Sequence, residues 1–221
     1  MYDALGGVIA LSILWSVTPA LALIGLTLDT RLGQAAFLAG WVLLGPVTTA
    51  AWSVAASIAR RESVGVRSLP AALRTQWLAG LLFFLVDGGI GWLLLANVRF
   101  YLNSTLGILG RVLPALGEGI RVGHLVGFVW LAPLVLWVLA QLYALPLLVA
   151  DQSSAGVALR RAALLVVDNI WFTLALALVV TAISAILLLT GVGAFALLPG
   201  VLAVLTTNAT KALLAKYEPT A

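Results

Sequence analysis

Long runs of apolar side chains dominate this chain and leave few folds open to it. Candidate spans fall at roughly 4–28, 34–59, 77–98, 124–150, 168–190 and 192–214. Crossing a bilayer takes about 20 predominantly apolar residues. In lipid every backbone N–H and C=O must bond internally, so only helices and closed barrels can cross. No alternating apolar–polar pattern of barrel type is present, which leaves helices. Of the 221 residues, 63% are hydrophobic and 9% charged, against about 25% charged in a soluble domain. A chain so composed cannot cover a water-facing surface. The expected fold is all-α, a polytopic transmembrane helix bundle of about six spans, forming one domain over 1–221.

Basic residues set the expected direction. With six spans, Arg60, Arg61, Arg67, Arg74, Arg160, Arg161, Lys211 and Lys216 gather on one side, and Arg31, Arg99, Arg111 and Arg121 on the other. The positive-inside rule then puts both termini in the cytoplasm, and with one span fewer the termini separate. The opening "MYDALGGVIALSILW" lacks a basic n-region and a small-residue cleavage signal, so it reads as a retained first helix.

Two basic segments read as short cytoplasmic interfacial helices. In "SVGVRSLPAALRTQW" (63–77), Ser68 suits an N-cap and Pro70 the first turn, while Leu69, Leu73 and Trp77 share a face. In "DQSSAGVALRRAALL" (151–165), Ser153 or Ser154 caps a similar helix. The competing reading is a membrane helix prolonged past the bilayer, its arginines reaching headgroups. On either reading Arg60, Arg61, Arg67, Arg74, Arg160, Arg161 and Lys211 are the expected lipid-headgroup contacts. The pattern span, basic helix, span occurs twice, which suggests a parallel repeat. The opposite loop, 99–123, carries Leu106, Leu109, Leu113 and Leu116 at helical spacing.

"FFLVDGGIGW" (83–92) places one carboxylate and three glycines inside a span. Asp87 lies ten residues after Trp77 and twelve before Arg99, about 15–18 Å from either at 1.5 Å per residue. Inserting an aspartate at that depth costs on the order of 2.5–3.5 kcal/mol. It must carry its proton or face polar groups within the bundle. Gly88, Gly89 and Gly91 favour the second, because a helix without side chains there admits a neighbour. Gln141 and Ser184 stand at similar depth, with Thr48 and Thr49 less well placed. Asp87 then reads as an ion- or proton-responsive group, or as a hydrogen-bonded pin between helices. Asn208, one turn before Lys211, completes the candidate polar set of Asp87, Gln141, Ser184 and Asn208.

Other chemistry finds little to build with. Cysteine is absent and His124 is the only histidine, so neither a metal site nor a cofactor is expected. No nucleophile elbow or phosphate loop is present, and the expectation is a non-enzymatic protein. The net charge of +4 suits basic loops against anionic lipid; no basic cluster suits nucleic acid. Prolines at 19, 46, 133, 146 and 199 read as kinks in four spans. Trp77 and Trp171 read as interface anchors.

Several stretches resemble the YesL-like family of bacterial membrane proteins, a domain of unknown function. They are Leu14-Trp15, "GPVTTAA" (45–51), the basic exit Arg60-Arg61-Glu62, and "YALPLLVADQSSAGVALRRAALLVVDN" (143–169). The likeness covers about residues 10–185. The first hairpin is stretched by "LTLDTRLGQAAFLAG" (26–40), and the Phe- and Lys-rich cytoplasmic helix of the family is here Leu, Ala and Arg. The resemblance implies a bacterial inner-membrane protein accompanying carbohydrate-uptake ABC transporters, hence an accessory or assembly subunit beside other membrane subunits, with a homo-oligomer also open. The alternative is a small secondary transporter with a polar site around Asp87.

Overall fold

With no water to satisfy them, the backbone amides of these apolar runs bond within their own segments, and the elements described are all helices. A computed structural model describes residues 2–28, 30–59, 69–103, 122–191, 193 and 197–217. Among them are seven helices and no strand: α1 (Tyr2–Thr27), α2 (Arg31–Ala59), α3 (Leu69–Asn103), α4 (Val122–Asp151), α5 (Ala155–Asp168), α6 (Ile170–Leu189) and α7 (Leu198–Ala215). Five of them, α2, α3, α4, α6 and α7, are long and apolar enough to cross a membrane. In α1 the stretch from Ser12 to Thr27 is apolar too, within a helix of 26 residues.

Successive helices pack side by side, α1 on α2, α2 on α3 and α3 on α4, with α7 closing against α2, α1 and α4. The α2–α3 contact depends on two glycines. A Cβ on Gly45 would stand 2.6 Å from the Gly80 carbonyl oxygen, and one on Gly80 would stand 2.8 Å from that of Gly45. Backbone meets backbone there, as in small-residue membrane crossings.

The core gathers around α4 and α5. Tyr143, Leu147 and Leu148 of α4 meet Ala158, Ala162, Leu165 and Val166 of α5, joined by Phe83, Leu176 and Leu213 from α3, α6 and α7. The α5 residues recur at i, i+4, i+7 and i+8, a continuous stripe along one side of the helix. The two alanines let α5 lie close on α4.

Of the two expected interfacial helices, the second is present as a separate element and the first is not. The first does not exist as a separate element: α3 runs without a break from Leu69 to Asn103. Pro70 sits in its first turn and nothing between there and Trp77 interrupts the i→i−4 ladder, so the prolonged-helix reading holds. Arg60, Arg61, Arg67 and Ser68 lie outside the described residues, as do Arg111 and Arg121 and most of the 99–123 loop. The second begins at Ala155 with Ser154 in the N-cap position, although no side chain caps it. That helix packs along α4 and ends at Asn169, whose φ of −133° and ψ of 46° break the chain before α6. The span expected at 168–190 therefore starts at Ile170, and the one expected at 192–214 starts at Leu198.

Pro19, Pro46, Pro133 and Pro146 lie inside helices. Pro199 is the exception to the kink expectation. It occupies the first turn of α7, where its missing donor costs nothing. Two corners show left-handed backbone: Gly191 at φ 64°, closing α6, and Gln152 at φ 47°, between α4 and α5.

Candidate functional site

Asp87 is half-buried on α3, and both of its described donors come from α4. Trp137 Nε1 donates to Oδ1 at 2.9 Å and Gln141 Nε2 donates to the same oxygen at 2.8 Å. Trp137 and Gln141 are four residues apart, one above the other on a single helical face. Gln141 Nε2 also reaches the Trp137 carbonyl at 3.3 Å, which fixes the amide's orientation. Both donors are uncharged. The pair binds α3 to α4 through one carboxylate oxygen.

A glycine makes this geometry possible. A Cβ on Gly91 would stand 2.5 Å from the Trp137 ring, so the indole lies where any larger residue would place its side chain. Gly88 and Gly89 play no such part. Both are exposed, and a Cβ on either would meet nothing within 4 Å. The expectation that all three glycines admit a neighbouring helix is corrected to Gly91 alone, because the other two point away from α4.

Of the remaining polar set, Ser184 is half-buried on α6 and Asn208 is exposed on α7. Neither helix packs extensively on α3, and neither residue bonds Asp87. Thr48 is taken by Trp15, whose Nε1 donates to its Oγ1 at 2.8 Å, and Thr49 Oγ1 donates to backbone carbonyls of its own helix. Trp52 of α2 likewise donates to Thr206 of α7 at 3.2 Å. Tryptophan indoles thus tie three helix pairs together by the same device. Trp137 is not singled out by the sequence; its position one turn before Gln141 is the available signal.

A second polar cluster, also missed, joins α4, α5, α6 and the end of α7. Lys216 Nζ donates to Asn169 Oδ1 at 3.1 Å, and Asn169 Nδ2 donates to the Tyr217 hydroxyl at 2.8 Å. Thr173 Oγ1 donates to the Asn169 carbonyl at 3.0 Å and pairs with the Tyr143 hydroxyl at 2.9 Å. Tyr143 and Thr173 are fully buried. Beside this cluster opens a cavity of about 430 Å³, lined in part by Arg161, Asp168 and Tyr217.

The expected headgroup arginines that are described, Arg74, Arg160 and Arg161, are exposed, and Lys211 is half-buried on α7. Trp77 and Trp171 are exposed on α3 and α6. His124 lies in α4, its side chain outside the described residues. Among the described residues no group of three or more His, Asp or Glu side chains converges to hold a metal ion. Comparison with protein-family models, curated proteins and solved structures finds no match to this chain.

Proposed function

We propose that this protein is a non-enzymatic accessory or assembly subunit of a larger membrane complex, its two termini cytoplasmic in a bacterial inner membrane. The observation that carries the reading is the state of α6. Of its 20 residues only Thr173 and Leu176 are buried, and Trp171, Leu178 and Leu189 are 82, 72 and 88% exposed. Lipid tails tolerate such a surface, but helix association in membranes rests on packing, and α6 makes little of it with the other described residues. A helix that packs through one narrow stripe, Thr173, Leu176, Ala177 and Val180, and leaves its other flank exposed is suited to dock on a neighbouring subunit. The likeness to the YesL-like family makes a carbohydrate-uptake transporter the first partner to try.

A photocrosslinking residue in place of Leu178, in native membranes, tests the reading. A discrete adduct with another membrane subunit is expected. Adducts with lipid alone at Leu178 and Leu189 overturn it.

The second reading, a small secondary transporter, draws on Asp87 facing Trp137 and Gln141. It requires a tryptophan fluorescence signal that changes with pH and is lost in Asp87→Asn, together with ion-dependent uptake in vesicles. Two hydrogen bonds from uncharged donors on one oxygen, Oδ1, favour the pin between helices instead.

A further inference from the structure

The cavity beside Asn169 combines features that the assembly role does not use. Its walls include Leu147 of α4, Leu165 of α5 and Leu214 of α7, and its polar lining is Arg161, Asp168 and Tyr217. Arg161, Leu165 and Asp168 fall at i, i+4 and i+7 on one face of α5. The opposite charges stand about 10 Å apart along that helix, at 1.5 Å per residue.

Asp168 is the last residue of α5, where the helix dipole disfavours a negative charge. The stability of α5 gives no reason for an acid there. Tyr217 has a defined orientation: its hydroxyl oxygen accepts from Asn169 Nδ2, so its own proton remains to be donated. Asn169 in turn is held the right way round by Lys216 on its Oδ1. A cation, an anion and a phenol donor therefore border one leucine-walled space whose volume lies within the range of ordinary ligand sites.

We infer that this cavity is a binding site for a zwitterionic phospholipid whose head carries a phosphate and a primary ammonium, the phosphatidylethanolamine class. The phosphate is taken by Arg161, which suits a planar, multiply donating cation, with Tyr217 as a second donor. The ammonium is taken by Asp168. The leucine walls receive the upper acyl chains. A purely anionic head leaves Asp168 facing like charge, and a quaternary head offers it no N–H donor.

The full chain, purified and delipidated in detergent, is given phosphatidylethanolamine, phosphatidylglycerol or phosphatidylcholine, with retained lipid read by native mass spectrometry. The wild type should keep one phosphatidylethanolamine per chain in preference to the other two. Asp168→Asn should lower that retention about tenfold, the scale of one charge-assisted hydrogen bond, and abolish the preference. Arg161→Gln should lower retention of all three. Leu214→Phe, which fills the cavity and keeps its charges, should lose the lipid while melting no earlier than wild type in lipid-free detergent. Equal retention of the three lipids by the wild type, or unchanged phosphatidylethanolamine retention in Asp168→Asn and Leu214→Phe, overturns the assignment. A failure here leaves the α6 crosslinking result untouched.

Discussion

At the scale of single residues, Asp87 is explained by what it accepts. Asparagine keeps an acceptor oxygen at the same place, so Asp87→Asn should unfold within about 1 kcal/mol of wild type. Asp87→Ala leaves the Trp137 and Gln141 donors unpaired and should lose on the order of 1–2 kcal/mol, read by thermal unfolding in detergent. If the asparagine variant is as damaged as the alanine one, the negative charge itself matters and the pin is the wrong description. The neighbouring glycines give a paired test. Gly91→Ala drives a methyl into the Trp137 ring and should cost about 1–3 kcal/mol. Gly88→Ala meets open space and should be neutral, or stabilising by up to about 1 kcal/mol from helix propensity.

That pair also marks the limit of what is legible in the sequence. Gln141 was identifiable because depth along a helix follows from residue count, and two residues at one depth can meet. Gly88 and Gly91 are three residues apart in one run, and composition alone does not say which faces α4. The azimuth of α3 is set by its contacts with α2 and α4, through Gly80 and Gly91, and those are tertiary facts. Trp137 was overlooked for a related reason: an indole in an apolar span has the same appearance whether its N–H is bonded to an acid, as here, or to a threonine, as in Trp15 and Trp52.

At the scale of elements, helix ends are satisfied from across the bundle. No side chain of its own caps α7; Ser12 of α1, fully buried, accepts from the Gly200 N–H at 3.0 Å. An N-cap supplied by another helix couples the start of α7 to α1. Ser12→Ala should therefore cost about 0.5–2 kcal/mol and loosen α7 from α1, measured as faster proteolysis near residues 190–200. Ser12→Thr, which retains the hydroxyl, should recover part of the loss. Capping of this kind joins residues 188 positions apart and has no local signature. The glycine turn after α6 was legible by contrast. Gly191 takes the left-handed conformation that commonly ends a helix, and Thr190 Oγ1 accepts from the Gly193 N–H. The break at Asn169 was not, since asparagine in an apolar run carries no unambiguous stop.

At the scale of the whole molecule, hydropathy was sufficient for the class of fold and for most helix positions, because the bilayer fixes length and composition together. It was insufficient for α5, which reads equally as an interfacial helix or as a membrane helix prolonged past the bilayer; nothing in the sequence says that Ala158 and Ala162 face α4. The charge asymmetry orients the proposed topology, and the exposed flank of α6 is the surface proposed for a partner.

Both rest on lipid surrounding α3 at the level of Asp87. The chain has no cysteine, so a single Asp87→Cys, compared with Gly191→Cys at the α6 turn, reports on one site at a time. The measurement is labelling by a membrane-impermeant maleimide in sealed and opened vesicles. The expected result is protection of position 87 from both sides while position 191 reacts from one. Rapid labelling of position 87 from either aqueous side contradicts the placement of this carboxylate within the membrane, and with it the bundle as threaded here.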